Sequence, residues 1–506
     1  MIRKVVAVVL GFFGTVVLAV AWTAATAVQL AATALIMGGT GHPLSTPGDD
    51  PVSYINPYMN NAVNGFINLA AARPTGTGGD PIGTVASDDD RYAVITPEQF
   101  FPVAGSMTFD RSVAAGRANM NDCIRGTACL YNDNGQIDPA APEAGPVAGD
   151  EFVVFGYSQS AVIASLVKRD LIENPGEIAP DTSFFLLANP MRPNGGILAR
   201  GFRGLTIPIL GVTFHGATPT DSCDTGNCMP TIDAVVQYDL LGGDAPASLT
   251  NVLAWINSLA AYIYLHGPLQ DRNFADALYQ GSYGDTDYYL YPSKRLPMLM
   301  PFEPFVPSPI LTFLDAPLRA AIEGGYARGV NPGIPTGFSL LPFQDPLRTV
   351  YNIVVAIPVG IDDALAEAVG DPSFRPLGTE PVTSPFGVGG PELPEPPEET
   401  DEEEEGEVLA VSSSREGDGE TSDEPVDEIV ADTADTAGTE ETDEDTADTE
   451  DIVGDGDTEV TEVTEVTEED IDVTDEDEPA TSPATQDETT TSESDTDSDT
   501  GDQAAA

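Results

Sequence analysis

Basic residues are scarce in this chain: 20 lysines and arginines stand against 83 aspartates and glutamates over 506 residues, a net charge of −63. Such an excess of acid repels a phosphate backbone, so nucleic acid is excluded as a partner. Histidine is scarcer still, with only His42, His215 and His266. Cysteine is confined to two close pairs, Cys123 with Cys129 and Cys223 with Cys228, in loop-like polar surroundings. Two local disulfides are the simplest reading, and they imply an oxidising compartment. The irregular spacing of the four thiols argues against zinc, and neither a metal nor a cofactor is expected. Long apolar runs are also lacking, with one exception. Arg3 and Lys4 precede an uncharged stretch from Val5 to about Val28. Its Ala25-Thr26-Ala27 has the small-residue form of a signal-peptide cleavage site, which favours removal. Left uncut, the run is long enough to span a bilayer. Either way the folded part is exported.

The acid is unevenly spread. From Pro391 onward lie 47 of the 83 acidic residues and one basic residue, Arg415, which leaves a net charge of roughly −17 for everything before. A segment so charged and so poor in aromatic side chains repels itself and has little to bury, so residues 387–506 are expected to be disordered. Runs such as Asp401 to Glu405 and the repeated Thr-Glu-Val from Thr458 to Val466 read as solvated spacer. The organisation expected is a signal or anchor over 1–28, one large domain over 32–386, and the acidic tail.

Within the domain the informative stretch is Glu151 to Lys168, EFVVFGYSQSAVIASLVK. Phe152 to Tyr157 reads as a fully buried strand, and from Gln159 the apolar spacing becomes helical. Between them, Gly156-Tyr157-Ser158-Gln159-Ser160 has small residues on both sides of the bend. This is the form of a nucleophile elbow, which lifts a serine clear of the backbone at a helix N-terminus. The helix dipole there favours the negative charge that develops when a serine attacks an ester carbonyl. A second glycine-rich turn, Gly38-Gly39-Thr40-Gly41-His42-Pro43, follows the short apolar run from Ala32. It lacks the lysine of a phosphate-binding loop. Read as an oxyanion loop, it aims a backbone N–H and the Thr40 hydroxyl at the carbonyl that the Gln159 N–H also meets.

Further strands are expected at Tyr92 to Thr96, Ser183 to Ala188, Thr206 to Thr213 and Ile232 to Tyr238. Helices are expected at Asn56 to Ala71, Ser112 to Cys123, Ser248 to His266, Leu314 to Tyr326 and Asp345 to Val355. Tyr288 to Leu299 and Pro301 to Pro309 read as irregular. Alternating strands and helices indicate an α/β fold of the α/β-hydrolase kind, a mostly parallel sheet covered by helices on both faces, with its site at the carboxyl ends of the strands.

Chain order selects the general base. In this architecture the order is serine, acid, histidine. His42 precedes Ser158. His215 follows it, but only Asp170 and Asp181 lie between, neither well placed. His266 follows Asp239, which sits where a strand runs out, and Asp244, in a loop before Ala245-Pro246. The constellation expected is Ser158, His266 and an aspartate, with Asp239 favoured over Asp244. The acid would hold the imidazole in one tautomer and stabilise the imidazolium.

Several stretches together resemble one family. They are MGGTGHP at Met37 to Pro43, TPEQFFPVAG at Thr96 to Gly105, GYSQSA at Gly156 to Ala161 and NPMRPNGGILAR at Asn189 to Arg200, with QYD at Gln237 to Asp239, YIYLHG at Tyr262 to Gly267 and the segment Leu314 to Thr336. In this order they resemble the mycobacterial PE-PPE domain, a serine-hydrolase module related to cutinases, over about Ala32 to Phe343. The resemblance implies an esterase or lipase acting on acyl esters of envelope lipids, with the triad on Ser158, His266 and one of the two aspartates. Similar proteins include acyltransferases that move fatty acyl groups between trehalose glycolipids. A surface protein of the same fold without activity is the third class, and the intact Ser158 and His266 speak against it. No PE or PPE helical module is found ahead of the hydrolase. The family's YDG followed by DFP is here Asp239-Leu240 and Asp244-Ala245-Pro246, so the resemblance does not decide the acid. The partners implied are a lipid or acyl-ester substrate and a membrane or envelope surface.

Overall fold

A computed structural model describes residues 31–46, 49–133, 143–147, 149–176 and 181–398. The apolar run at 5–28 and the tail from 399 lie outside the described residues. Strands β1 (Thr33–Ile36), β2 (Arg91–Val94), β3 (Cys129–Asp133), β4 (Glu143–Gly145), β5 (Glu151–Tyr157) and β6 (Asp181–Leu187) are joined by β9 (Thr231–Val236), β10 (Leu278–Tyr283) and β11 (Thr286–Tyr291) in one nine-stranded sheet. Its order is β10-β11-β9-β6-β5-β1-β2-β3-β4. The six strands from β11 to β2 are mutually parallel, and the outer strands β10, β3 and β4 pair antiparallel. This is the α/β architecture expected.

The two faces are sorted by the period of two along each strand. In β5, Val153 and Phe155 enter one core with Phe185 and Leu187 of β6, while Phe152 and Val154 enter the other with Phe184 and Leu186. Helices α1 (Val52–Asn61) and α4 (Val252–Ala261) contribute to the first core. Helices α2 (Phe109–Ile124) and α3 (Gln159–Glu173) fill the second. Two long helices follow, α5 (Ser308–Glu323) and α6 (Pro346–Val369), packed extensively on each other.

Four expectations are corrected. Thr206 to Thr213 is not a strand of the main sheet. It forms two short antiparallel strands, β7 (Thr206–Ile207) and β8 (Val212–Thr213), in a separate hairpin. Pro208 has no N–H to give a ladder, and Ile209 and Gly211 turn the chain through positive φ. Conversely, part of the stretch Tyr288 to Leu299 is the buried strand β11, parallel to β9. Buried on both faces, it shows no alternation, and the prolines after it disguise its end. Finally, α5 starts at Ser308 rather than Leu314, because Pro309 falls in its first turn, where proline is tolerated. Helix α6 likewise runs on past Pro358 and stops at Gly370, which takes the left-handed conformation common at helix ends.

Both cysteine pairs, Cys123–Cys129 and Cys223–Cys228, are disulfides. Among the described residues no helix is long and apolar enough to cross a membrane. The chain stays held to the body beyond residue 386. Pro391 accepts from the Ser384 hydroxyl, Gly389 accepts from Arg348, and Leu393 packs on Phe386.

Candidate active site

Strand β5 delivers Ser158 to the carboxyl edge of the sheet, and α3 begins at the next residue. Ser158 sits at φ 60°, ψ −113°, outside the regions favoured by an L-residue. The turn is fastened at both ends: Ser158 N–H donates to the Leu187 carbonyl at 3.0 Å, and Tyr157 N–H donates to Ser160 Oγ at 2.8 Å. Any side chain at Gly156 would meet the Ser160 carbonyl oxygen at 2.6 Å. The bend therefore requires glycine there, and the serine at 160 supplies a lock of its own.

His266 comes from the far end of the segment that begins as α4. The helix passes at Tyr262–His266 into a wider π turn. Tyr157 Oη donates to the His266 carbonyl at 2.6 Å, and the Tyr157 ring stacks on the imidazole with centroids 5.5 Å apart. The elbow thus holds the histidine from both its backbone and its ring. His266 Nε2 lies 2.8 Å from Ser158 Oγ, and Nδ1 lies 2.6 Å from Asp239 Oδ2. An ionised carboxylate only accepts, so Nδ1 carries the proton and Nε2 is left to accept from the serine.

Asp239 is fully buried just past β9, after Tyr238 turns the chain at φ 73°. Its second oxygen accepts from Gly242 N–H at 3.0 Å. A side chain at Gly242 would come within 2.0 Å of Asp239 Oδ2 and 3.0 Å of His266 Nδ1, so only glycine closes over this pair. Asp244 takes another part. Its oxygens accept from Arg328 at 2.5 and 2.9 Å and from Tyr238 N–H at 2.6 Å. It pins the loop that carries Asp239 and does not meet the imidazole.

The glycine-rich loop lies beside the serine. Thr40 Oγ1 donates to Gln159 Oε1 at 3.0 Å, while Gln159 Nε2 donates to the Gln99 carbonyl and to Ser112 Oγ. In this arrangement the Thr40 hydroxyl is turned towards the Gln159 side chain. The Gln159 N–H belongs to the first turn of α3, where backbone donors have no partner within the helix.

Below the loop lies a residue that sequence reasoning passed over. The Glu98 carbonyl accepts from Gly41 N–H at 2.7 Å, and its fully buried carboxyl accepts from Thr96 Oγ1 at 2.6 Å. The other oxygen has no partner among the described residues. Burial pushes this carboxyl up to about 8, with the Thr96 bond opposing. The only advance sign was its place in the stretch from Thr96 to Gly105.

The Asn189 to Arg200 stretch proves to brace the sheet. Arg192, almost wholly buried, donates to Asp233 at 2.7 Å, and Arg200 donates to the Ala245 carbonyl. No cluster of three or more potential metal ligands occurs among the described residues.

Ser158 opens into an apolar cavity of about 210 Å³. Phe100, Phe109, Ile207, Val212, Phe214 and Tyr262 line it, together with Thr40 and Gln159. The apolar stretch Leu296 to Leu314 takes no part in it. Met298 and Met300 pack against the core, and Phe302 and Phe305 are exposed. The β7–β8 hairpin supplies the apolar wall in its place.

Residues 87–327 match the PE-PPE domain family. The match includes Ser158, Asp239, Asp244 and His266, and Thr40 lies ahead of it. The chain is 35 % identical over 344 residues to the Mycobacterium tuberculosis protein named Esterase PE16, covering 63 % of this chain and 60 % of that protein. It is 32 % identical over 363 residues to the PPE family protein PPE42 of the same species, covering 68 % of this chain and 53 % of the other. With the PE family protein PE3, also of that species, the identity is 31 % over 365 residues, 70 % of this chain and 66 % of the relative. The chain thus spans from about half to just under two thirds of the length of these relatives. With the parallel sheet, the serine at its elbow and these matches in hand, the chain belongs to the PE-PPE domain family, with that domain over residues 87–327.

Proposed function

We propose that the protein is a serine esterase that acts on acyl esters through a covalent acyl-enzyme on Ser158. The observation that carries this reading is the unbroken relay from Ser158 Oγ through His266 to Asp239, opening into an apolar cavity. The relative named an esterase supports it. His266 Nε2 takes the serine proton as Oγ attacks the ester carbonyl, and buried Asp239 steadies the imidazolium. The N–H groups of Gln159 and of the Gly39-Thr40 turn receive the negative oxygen, and the Thr40 hydroxyl joins them after rotating away from Gln159. His266 then returns the proton to the departing alcohol, and Ser158 keeps the acyl group as an ester. An incoming hydroxyl, deprotonated by the same histidine, releases it.

The cavity, about 210 Å³ and lined mainly by apolar side chains, suits an acyl chain. Rates should therefore rise from acetyl esters towards medium chains, because each buried methylene contributes about 0.8 kcal/mol. The two disulfides and the N-terminal apolar run support action outside the cytoplasm, at the cell envelope. The test is mass spectrometry of the purified protein after incubation with a medium-chain ester. An added acyl mass on the peptide containing Ser158 is expected, and acyl label on any other residue, or none, sinks the reading. Adding trehalose to the same reaction separates hydrolysis from transfer, since transfer yields an acylated sugar at the expense of the free acid.

A further inference from the structure

We propose that the rim of the Ser158 cavity is a docking face for an uncharged lipid surface, built from the outer stripe of α4 and the β7–β8 hairpin. The proposal deepens the esterase reading and rests on it for the identity of the substrate.

Helix α4 is turned inside out for a surface helix. Its inward residues are Ala254, Asn257, Ser258 and Ala261. Asn257 and Ser258 have a specific use there: Asn257 Oδ1 accepts from Met298 N–H, and Ser258 Oγ donates to the Tyr238 carbonyl beside Asp239. Val252, Ile256, Leu259 and Ile263, spaced four, three and four apart, make one face, and all four point to solvent. A soluble helix ordinarily has the opposite arrangement.

The stripe continues into the cavity. Tyr262, next to Ile263, lines the cavity, and so do Phe100 and Ile207. Their chain neighbours lie exposed outside it: Val103 is 69 % and Ile209 82 % exposed, and Phe101 and Leu205 are also open to solvent. Three separate segments therefore pass from an apolar interior to an apolar exterior at the same opening. A patch of this kind marks an interaction site.

Charge narrows the occupant. Residues 99–109, 204–220 and 245–270 contain no Asp, Glu, Lys or Arg, in a chain otherwise rich in acid. Basic residues to attract anionic headgroups are missing from all three, and the acidic body is repelled by such a surface. A neutral or zwitterionic lipid layer fits. An ester drawn from such a layer enters the cavity without its acyl chain crossing water, which gives the exposed stripe its use.

The test places a polarity-sensitive fluorophore on the full chain at Ile256→Cys, at Ile209→Cys and, for contrast, at Leu130→Cys. Leu130 is also exposed, but its backbone N–H and carbonyl pair with the Asn119 side chain of α2, about 15 Å along that helix from Phe109 at the cavity. With phosphatidylcholine vesicles the first two labels should shift to the blue and brighten, and the third should not. Vesicles of phosphatidylglycerol should give a weaker response. The pair Val252→Glu with Leu259→Glu should lower the ratio of the rate on an emulsified ester to that on a soluble ester by about tenfold. Because each label reports its own surroundings, attachment through the N-terminal run alone leaves positions 256 and 209 silent and overturns the proposal. So does an equal response at 130, or a stronger one with phosphatidylglycerol. A shift without vesicles that grows with protein concentration would assign the face to a second copy of the chain and equally overturn it. If the wild type hydrolyses neither ester, the esterase reading fails, while the fluorescence still decides the docking face.

Discussion

All three histidines of this protein stand beside an aspartate, yet they occupy very different regions. At the glycine-rich loop, His42 Nδ1 lies 2.8 Å from Asp50, stacked on Tyr54, with 44 % of its side chain open to solvent. Near the β7–β8 hairpin, His215 lies 3.4 Å from Asp110. At the carboxyl edge of the sheet, His266 is buried and has a serine on its second nitrogen. The pairing with a carboxylate does not distinguish them. What sets His266 apart is a serine hydroxyl on the opposite ring atom. The comparison also amends the sequence argument. His215 was set aside for want of an acid between it and Ser158, but its aspartate comes from upstream in the chain.

The sharpest way to break the comparison is to remove the serine or the buried imidazole. Ser158→Ala and His266→Ala should each lower kcat/KM on a soluble ester by about 10⁴-fold or more. His42→Ala and His215→Ala should stay within about tenfold of wild type. Steady-state kinetics on folded variants decides this, and a comparable loss at His42 or His215 would refute the assignment.

The next contrast is between two aspartates five residues apart. Asp239→Asn should cost about 10⁴-fold in kcat, because the imidazole loses its preferred tautomer, with little change in melting temperature. Asp244→Asn should act on stability instead. It weakens a buried ion pair with Arg328, a loss of about 3 kcal/mol seen as a lower denaturation midpoint. If Asp244→Asn is stable but inactive while Asp239→Asn keeps activity, the roles are reversed.

A smaller effect sets Asp239 against Glu98, a buried carboxyl raised from 4.5 to about 8. In the native state Glu98 holds a proton that the unfolded chain releases above about 4.5. Its contribution to stability is therefore complete below pH 4.5 and is lost as pH rises through about 8. Glu98→Gln, neutral at every pH, should flatten that decline, as read from denaturation midpoints between pH 5 and pH 9. An unchanged slope would mean that Glu98 is not the group responsible.

The smallest effect expected is from the tail. Ending the chain after Glu398 should leave turnover and melting temperature as they were, since such an acidic segment opposes collapse onto an acidic domain. Ending it after Phe386 should lower the melting temperature, because the Ser384, Arg348 and Leu393 contacts go with it. Equal behaviour of the two truncations would show that residues 387–398 add nothing.

Much of this was legible beforehand, and the particular residues show why. β5 and α3 meet at a glycine and a serine, and a buried run followed at once by helical spacing has few other solutions. β11 was not legible, because a strand covered on both sides loses its alternation and Tyr288 to Tyr291 then resembles any aromatic stretch. The β7–β8 hairpin was misread for the opposite reason: apolar residues at Ile207, Leu210 and Val212 suggested a core strand, yet they wall the cavity.

By itself the sequence determined the layered α/β class, the elbow at Ser158, the pairing of nearby cysteines and the sorting of charge into a terminal tail. These follow from local periodicity, short-range geometry and composition. The tertiary structure alone decided which aspartate meets His266, that Gly242 closes over the pair, that one oxygen of Glu98 beneath the glycine loop has no partner among the described residues, and that α4 turns its apolar stripe outward. Those outcomes depend on contacts between residues far apart in the chain, where a few ångströms of loop path decide whether a carboxylate faces an imidazole or an arginine.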